Sequence, residues 1–402
     1  MKNMNIPRRN ILLAIVFLLA FVGGGAYYFK DKIMRSFFAP NTPPLFFEEG
    51  ISVEDTEIEE DKTTNNPTED PIPNTRKPIE VIAENLKIPW EVAFLPNSEM
   101  LVTERPGTLL RIGKDRKIYH VEGVESSGER GLMGLVLHPD FEQNKLIYLY
   151  FTTDTNGTLR NKIERYRLEE DSLYDKTIIL DNIPGSIYHD GGRIEFGPDK
   201  MLYVTTGDAG QPNLAQNKNS LAGKILRIKD DGSIPQDNPF GNAIWTYGHR
   251  NSQGLAWDSQ GRLWATEHGR SGTQSGLDEL NLIEKGKNYG WPTIQGDEKK
   301  DGMETPLANS GPNYTWAPAD IEHINNSLFF TGLRGEALYE AKINGTAKPE
   351  IKIHFLKEFG RLRAVRLGPD GYIYITTSNT DGRGEPKQGD DKLIRIDPKI
   401  FQ

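Results

Sequence analysis

One pattern constrains this chain more than any other: a short motif that recurs along residues 79–402. In LPNSEMLVTERPG, GPDKMLYVTTGD, WDSQGRLWATEHG and GPDGYIYITTSN, a turn rich in Pro, Asp or Gly leads into a β-prone run that ends in a polar or glycine-containing break. HPDFEQNKLIYLYFTT and INNSLFFTG are looser copies. Pro96, Pro139, Pro198, Asp258, Asn325 and Pro369 mark six units whose spacing averages a little over 50 residues. That length suits one four-stranded antiparallel sheet per unit, which is the signature of propeller blades. Sustained apolar periodicity of the helical kind is almost absent from the region. The expected fold is therefore all-β, a six-bladed β-propeller over residues 79–402, with a pair of β-sandwiches as the structural alternative. The runs LIYLYFT, MLYVTT and YIYITT are what strands buried on both faces require, and call for no functional explanation. Polar residues at the ends of those runs would gather in loops on one face or at the mouth of the channel, where chemistry is to be sought.

Composition narrows that chemistry. No cysteine occurs among the 402 residues, so thiolate metal sites, cysteine nucleophiles and iron-sulfur clusters are excluded. A net charge of -9 argues against a duplex nucleic-acid partner, which calls for a basic face. Residues 1–39 are a different material: Lys2, Arg8 and Arg9 precede an uncharged apolar run from Ile11 to Phe29. As a helix that run would be roughly 28 Å long, enough to cross a bilayer. We expect an uncleaved membrane anchor with its N-terminus inside, in preference to a cleaved signal peptide, and the remainder extracytoplasmic, periplasmic or at the cell surface. Residues 40–78 are acidic and punctuated by prolines, and read as a disordered, extended spacer.

Four segments carry candidate chemistry. Tyr188-His189-Asp190-Gly191-Gly192-Arg193 places an imidazole, a potential proton acceptor, beside glycines that allow close approach to the backbone. A lone loop histidine is more often structural. Gly248-His249-Arg250-Asn251 and Arg361-Leu362-Arg363 supply guanidinium groups; Arg361 and Arg363, two apart on a strand, would project together. With Arg250 and Arg334 they would make an anion site, although strand arginines in isolation are usually solubilising. Asp278-Glu279-Leu280-Asn281 followed by Gly286-Lys287-Asn288-Tyr289-Gly290-Trp291-Pro292 offers oxygen ligands of the kind calcium takes, without the spacing of an EF-hand; the plainer reading is an acidic turn.

In order and wording these segments resemble the glucose/sorbosone dehydrogenase family, the soluble quinoprotein aldose sugar dehydrogenases. The resembling stretches include PWEVAFLPNSEMLVTERPG, GERGLMGLVLHPDF, HDGGRIEFGPDKMLYVTTGD, YGHRNSQGLAW, TEHG, DELNLIEKGKNYGWP and RLRAVRLGPDG, from about Pro89 to the C-terminus. The resemblance implies a propeller that binds pyrroloquinoline quinone (PQQ) and calcium, and oxidises the anomeric carbon of an aldose to a lactone. It makes His189 the general base. Glu129, Arg250, Asn251, Arg334 and the Arg361-Leu362-Arg363 segment would contact the cofactor. Glu279 and Tyr289 match calcium positions, and backbone oxygens near Gly269 and Arg270 match the loop holding the cofactor's own calcium. Three residues depart from the family pattern: Glu129 stands where glutamine is common, Arg334 where lysine is, and Tyr188 where some glucose-oxidising members have an acid. The implied partners are an aldose, an unidentified electron acceptor and, through the N-terminal segment, a membrane. A calcium-dependent propeller lactonase and a non-catalytic, membrane-tethered binding module remain as alternatives, since fold alone does not fix function.

Overall fold

A computed structural model describes residues 41–44, 47–57, 77–272, 275–345 and 347–402. The anchor expected at residues 1–39 and much of the expected spacer, residues 58–76 included, lie outside them. The six phase marks of the repeat each fall in the turn between the first and second strands of a sheet, where Pro, Asp and Asn suit a tight reversal.

Blade one is the antiparallel sheet Pro89–Phe94, Met100–Glu104, Thr108–Ile112 and Arg116–His120. Blade two is Leu132–Leu137, Leu146–Thr155, Thr158–Leu168 and Leu173–Pro184. Blade three is Ile194–Phe196, Leu202–Thr206, Lys224–Ile228 and Ile244–Tyr247. Blade four is Ser252–Trp257, Leu263–Glu267, Glu279–Ile283 and Ala308–Asn309. Blade five is Pro318–Ile324, Ser327–Gly332, Ala337–Lys342 and Glu350–His354. Blade six takes Leu362–Leu367, Ile373–Thr377 and Leu393–Ile396 from the C-terminal end and its outermost strand, Ile79–Ala83, from the other end of the domain. One sheet built from both ends closes the ring.

Neighbouring blades share their cores. Tyr148, Tyr150 and Ile163 of blade two pack with Ile194, Leu202, Val204 and Leu226 of blade three. At about 1.5–3 kcal/mol for each large side chain fully buried, such interfaces hold the ring together. The axis is not apolar. Inner strands from four blades send Glu91, Glu195, Asp320, Glu322 and Arg366 into it, and Arg193 joins them. Arg366 donates to both oxygens of Glu91 at 2.9 Å, and Arg193 pairs with Glu91 and, at 3.2 Å, with Asp320.

Residues 47–57 depart from the spacer expectation. Glu48–Glu49 adds a fifth, parallel strand to the edge of blade five, opposite Lys352 and Ile353. Phe47 lies 5.8 Å from Tyr314 and 6.0 Å from Trp316, ring to ring, while Ile51 and Val53 pack on the core shared by blades five and six. These three apolar side chains anchor a stretch whose acidic composition alone argued for an unstructured spacer.

Candidate active site

In an antiparallel blade the start of the first strand and the end of the second lie at the same edge. Glu129, His189, Arg250, Asn251 and Arg361 precede first strands; Arg105, Asp208, His268, Arg334 and Asp381 follow second strands. All therefore belong to one face of the ring, although they come from different blades.

At this face His189 adopts a left-handed backbone, φ 62°. The conformation is held from both sides: its N–H donates to Glu129 Oε2 at 3.1 Å, and its carbonyl accepts from Ala209 N at 3.1 Å. A Cβ on Gly207 would sit 1.8 Å from that carbonyl, so only glycine permits this approach. The ring is held as well. Nδ1 meets Asp208 Oδ1 at 2.8 Å; Asp208 is fully buried and also accepts from Trp291 Nε1 at 2.9 Å and from Gly210 N at 2.8 Å. With the Nδ1 proton committed to Asp208, the lone pair falls on Nε2, the arrangement a general base requires. Tyr188 stands edge-on to the imidazole at 5.0 Å and is half exposed.

On the same face lie six guanidinium groups, those of Arg105, Arg250, Arg334, Arg361, Arg363 and Arg383, against the carboxylates of Glu129, Asp208, Asp278 and Asp381. Arg361 and Arg363 converge as expected, each with its own support. Arg361 donates to Asp381 at 2.7 and 3.1 Å and to the Leu333 carbonyl; Arg363 donates to Gln253 Oε1 at 2.7 Å and lies over the Trp90 ring. Burial and the neighbouring Arg105 pull Arg363 down to about 9, so it stays a cation at neutral pH. Arg250 donates to Ser271 Oγ at 2.7 Å over Trp291, and Arg334 donates to Ser275 Oγ at 2.5 Å. Asn251 Oδ1 accepts from Gly191 N at 3.0 Å, joining this segment to the His189 loop. Leu362 differs from expectation. It is fully buried in the apolar core between blades five and six, at the first residue of the strand, away from both neighbouring guanidinium groups.

Glu129 is ionised, and Arg383 balances its charge. Burial alone would raise its carboxyl, but Arg383, with a hydrogen bond of 2.8 Å, and His189 hold it well below the ordinary range. His268, which the sequence reading passed over, is driven down to about 3, by burial first, and so is neutral. Arg105, Asp208 and Asp381 were likewise missed. Arg105 and Asp208 lie just beyond second strands within repeated motifs, and Asp381 two residues past the end of such a motif; only the closed ring turns these positions toward the site.

The residues fit a planar, polyanionic cofactor. Asn251 Nδ2, Arg363 Nε, Arg105 Nε and His268 Nε2 are buried with no hydrogen-bond partner, an expensive state unless a ligand supplies acceptors. For a cation the fit is one of oxygen chemistry. A Cβ on Gly269 would stand 2.3 Å from the Leu277 carbonyl oxygen and 2.4 Å from that of Gly276, so backbone oxygens crowd this turn. Its base is fixed by Asp278, which accepts from Gly269 N, Trp316 N, Ala317 N and Thr315 Oγ1. Glu279 is paired in register with Glu267, and burial first, then the Glu267 charge, pushes it up to about 8; Asn281 Oδ1, also buried, lacks a donor. That set of oxygens suits a hard cation. Tyr289 contributes no side-chain ligand: its phenol donates to the Leu282 carbonyl at 2.6 Å and its ring stacks on His249. Only its backbone carbonyl remains available. Among the described residues no three His, Asp or Glu side chains form a metal cage.

Residues 86–395 match the family described as Glucose / Sorbosone dehydrogenase. The chain is 31% identical to the aldose sugar dehydrogenase YliI of Escherichia coli over 357 residues, covering 80% of this chain and 93% of that protein. It is 36% identical to quinoprotein glucose dehydrogenase B of Acinetobacter calcoaceticus over 260 residues, 55% of this chain and 54% of the relative. Among solved structures, the PQQ-bound aldose sugar dehydrogenase of Streptomyces coelicolor superposes with a TM-score of 0.74 at 39% identity, covering 79% of this chain and 97% of that one.

Proposed function

Because the chain belongs to the glucose/sorbosone dehydrogenase family, we propose that it is a PQQ- and calcium-dependent aldose sugar dehydrogenase, oxidising the anomeric carbon of a sugar to the lactone. The observation that carries the reading is the oriented imidazole of His189 beside a basin of buried guanidinium groups in which Arg105 Nε and Arg363 Nε, like Asn251 Nδ2, have no hydrogen-bond partner.

When bound, the quinone would supply the two-electron acceptor for a hydride from the sugar carbon. The rest falls to the chain. His189 Nε2 takes the proton of the anomeric hydroxyl, and Asp208 stabilises the imidazolium that forms. Arg361 and Arg363 would hold carboxylates of the cofactor, with Arg250, Asn251 and Arg334 along its edge; fixed donors of this kind also favour negative charge developing on a ligand. The carbonyls around Gly269 and Arg270, and Glu279 at the second position, would hold calcium. Tyr188 offers an aromatic edge where the sugar would enter. The N-terminal apolar run supports a membrane-held, extracytoplasmic setting, from which electrons would pass to an acceptor yet to be identified.

The test is reconstitution of the full chain with PQQ and calcium, followed by dye reduction across a panel of aldoses. His189→Ala should bind PQQ normally and lose about 10²- to 10⁴-fold in kcat. Unchanged turnover in that variant removes the assignment; hydrolysis of lactones without PQQ would favour the lactonase reading.

A further inference from the structure

Asn41 lies far from the family-matched region in sequence, yet its side chain reaches the active face. Its Oδ1 accepts from Thr315 N at 2.9 Å, and its Nδ2 donates to the carbonyls of Thr315 at 2.9 Å and Arg334 at 3.0 Å. One amide thus spends its acceptor and both N–H groups on two segments more than 270 residues away. Those two segments are already linked through the site. Thr315 Oγ1 donates to Asp278, Asp278 accepts from Gly269 N, and Ser275 Oγ accepts from the guanidinium of Arg334. The two segments also meet directly, Leu333 N donating to the Ala317 carbonyl and Gly335 N to the Trp316 carbonyl, both at 3.0 Å, and Asn41 adds a side-chain clamp on Arg334 itself, between those two bonds.

The segment that follows secures it. Gly50 N donates to the Ile353 carbonyl at 2.7 Å, Ile51 N to His354 Nδ1 at 3.0 Å, and Val53 N to Glu358 Oε2 at 2.7 Å. A Cβ on Gly50 would lie 2.1 Å from His354 Nδ1, so the strap passes where only glycine fits.

We propose that Asn41 is a positioning residue for the cofactor site: by holding the Arg334 backbone to the Thr315 turn, it sets the guanidinium of Arg334 where an anionic ligand is gripped. The inference rests on the reading of the site as a PQQ site, and the described residues 41–44 and 47–57 that carry it become part of the catalytic domain.

The test uses the full chain with two separate readouts. In the absence of cofactor, amide hydrogen exchange should accelerate at Thr315 and around Ser275 in Asn41→Ala, while exchange in blade two stays unchanged. Exchange indistinguishable from wild type overturns the proposal whether or not PQQ binds. With PQQ, titration followed by tryptophan quenching should show an affinity about tenfold weaker in Asn41→Ala, the scale expected when buried hydrogen bonds to a held loop are lost. In an Arg334→Ala background the same substitution should have almost no further effect on affinity, because residues acting through one group are not additive. A full tenfold loss in both backgrounds would make Asn41 a general stabiliser and overturn its role toward Arg334. If the wild-type chain binds no PQQ, the functional reading fails while the exchange result still stands or falls alone.

Discussion

At the scale of single residues, the catalytic reading depends on one hydrogen bond, between His189 Nδ1 and Asp208 Oδ1. Asp208→Asn keeps the shape but removes the charge that holds the Nδ1 proton and stabilises the imidazolium. We expect kcat to fall about 10²-fold or more with PQQ affinity nearly unchanged, and the pH profile of kcat to shift; stopped-flow reduction of the bound cofactor measures both. A variant with the profile and rate of the wild type would leave His189 without its orienting partner. His189 was legible in the sequence because it sits among glycines in a segment unlike the repeat around it. Asp208 was not, since YVTTGD looks like one more repeat terminus, and nothing local distinguishes its aspartate from a turn residue. The same holds for Arg105 in TERPG and His268 in TEHG. Their role comes from the ring, which turns equivalent strand ends toward one another, and that convergence has no one-dimensional trace. His249 is the converse case: prominent in GHRN, it is fully buried between Thr246 and Glu267, bracing the segment that presents Arg250 and Asn251.

At the scale of elements, two N-terminal strands do different work. Ile79–Ala83 completes blade six by pairing with Leu393–Ile396, whereas Glu48–Glu49 only extends an already complete blade five. A chain beginning at residue 77 should therefore keep a cooperative melt, its Tm lowered only by the lost Phe47, Ile51 and Val53 contacts, while one beginning at residue 85 should lose many more degrees or fail to refold, because the edge of Leu393–Ile396 is left unpaired. Calorimetry of the two truncations decides it, and equal Tm values would contradict closure through this strand. The alternation of β-prone and turn residues revealed the inner strands. The strand that closes the ring was not legible as such, because its partner lies more than 300 residues away and pairing leaves no mark on IEVIA itself. Arg361 lies just before the strand Leu362–Leu367 and Arg363 within it, yet their guanidinium groups interact, while Leu362 between them enters the core.

At the scale of the whole molecule, the ring encloses charge where its strands, read as β-branched and aromatic runs, suggested only apolar packing. Glu91, Glu195, Asp320 and Glu322 share the axis with Arg193 and Arg366, and no short window of sequence shows that these six residues meet. The arrangement has a consequence for pH. Burial raises the Glu322 carboxyl to about 7, the nearby Glu195 and Asp320 acting in the same direction and Arg366 against them. Unfolded, the same group releases its proton near 4.5. Between those values the native state keeps a proton that the unfolded chain has lost, so this group makes stability fall as pH rises from about 4.5 to about 7, and adds no further slope above. The ceiling is about 3 kcal/mol, and the measured effect should be smaller because the side chain keeps 26% of its surface exposed. Glu322→Gln cannot lose that proton. Its Tm should therefore rise relative to wild type across this window, with the difference between the two curves levelling off above pH 7. Parallel melting curves from pH 4.5 to 8 would mean that the axial carboxylates are all ionised together, balanced by Arg193 and Arg366 alone.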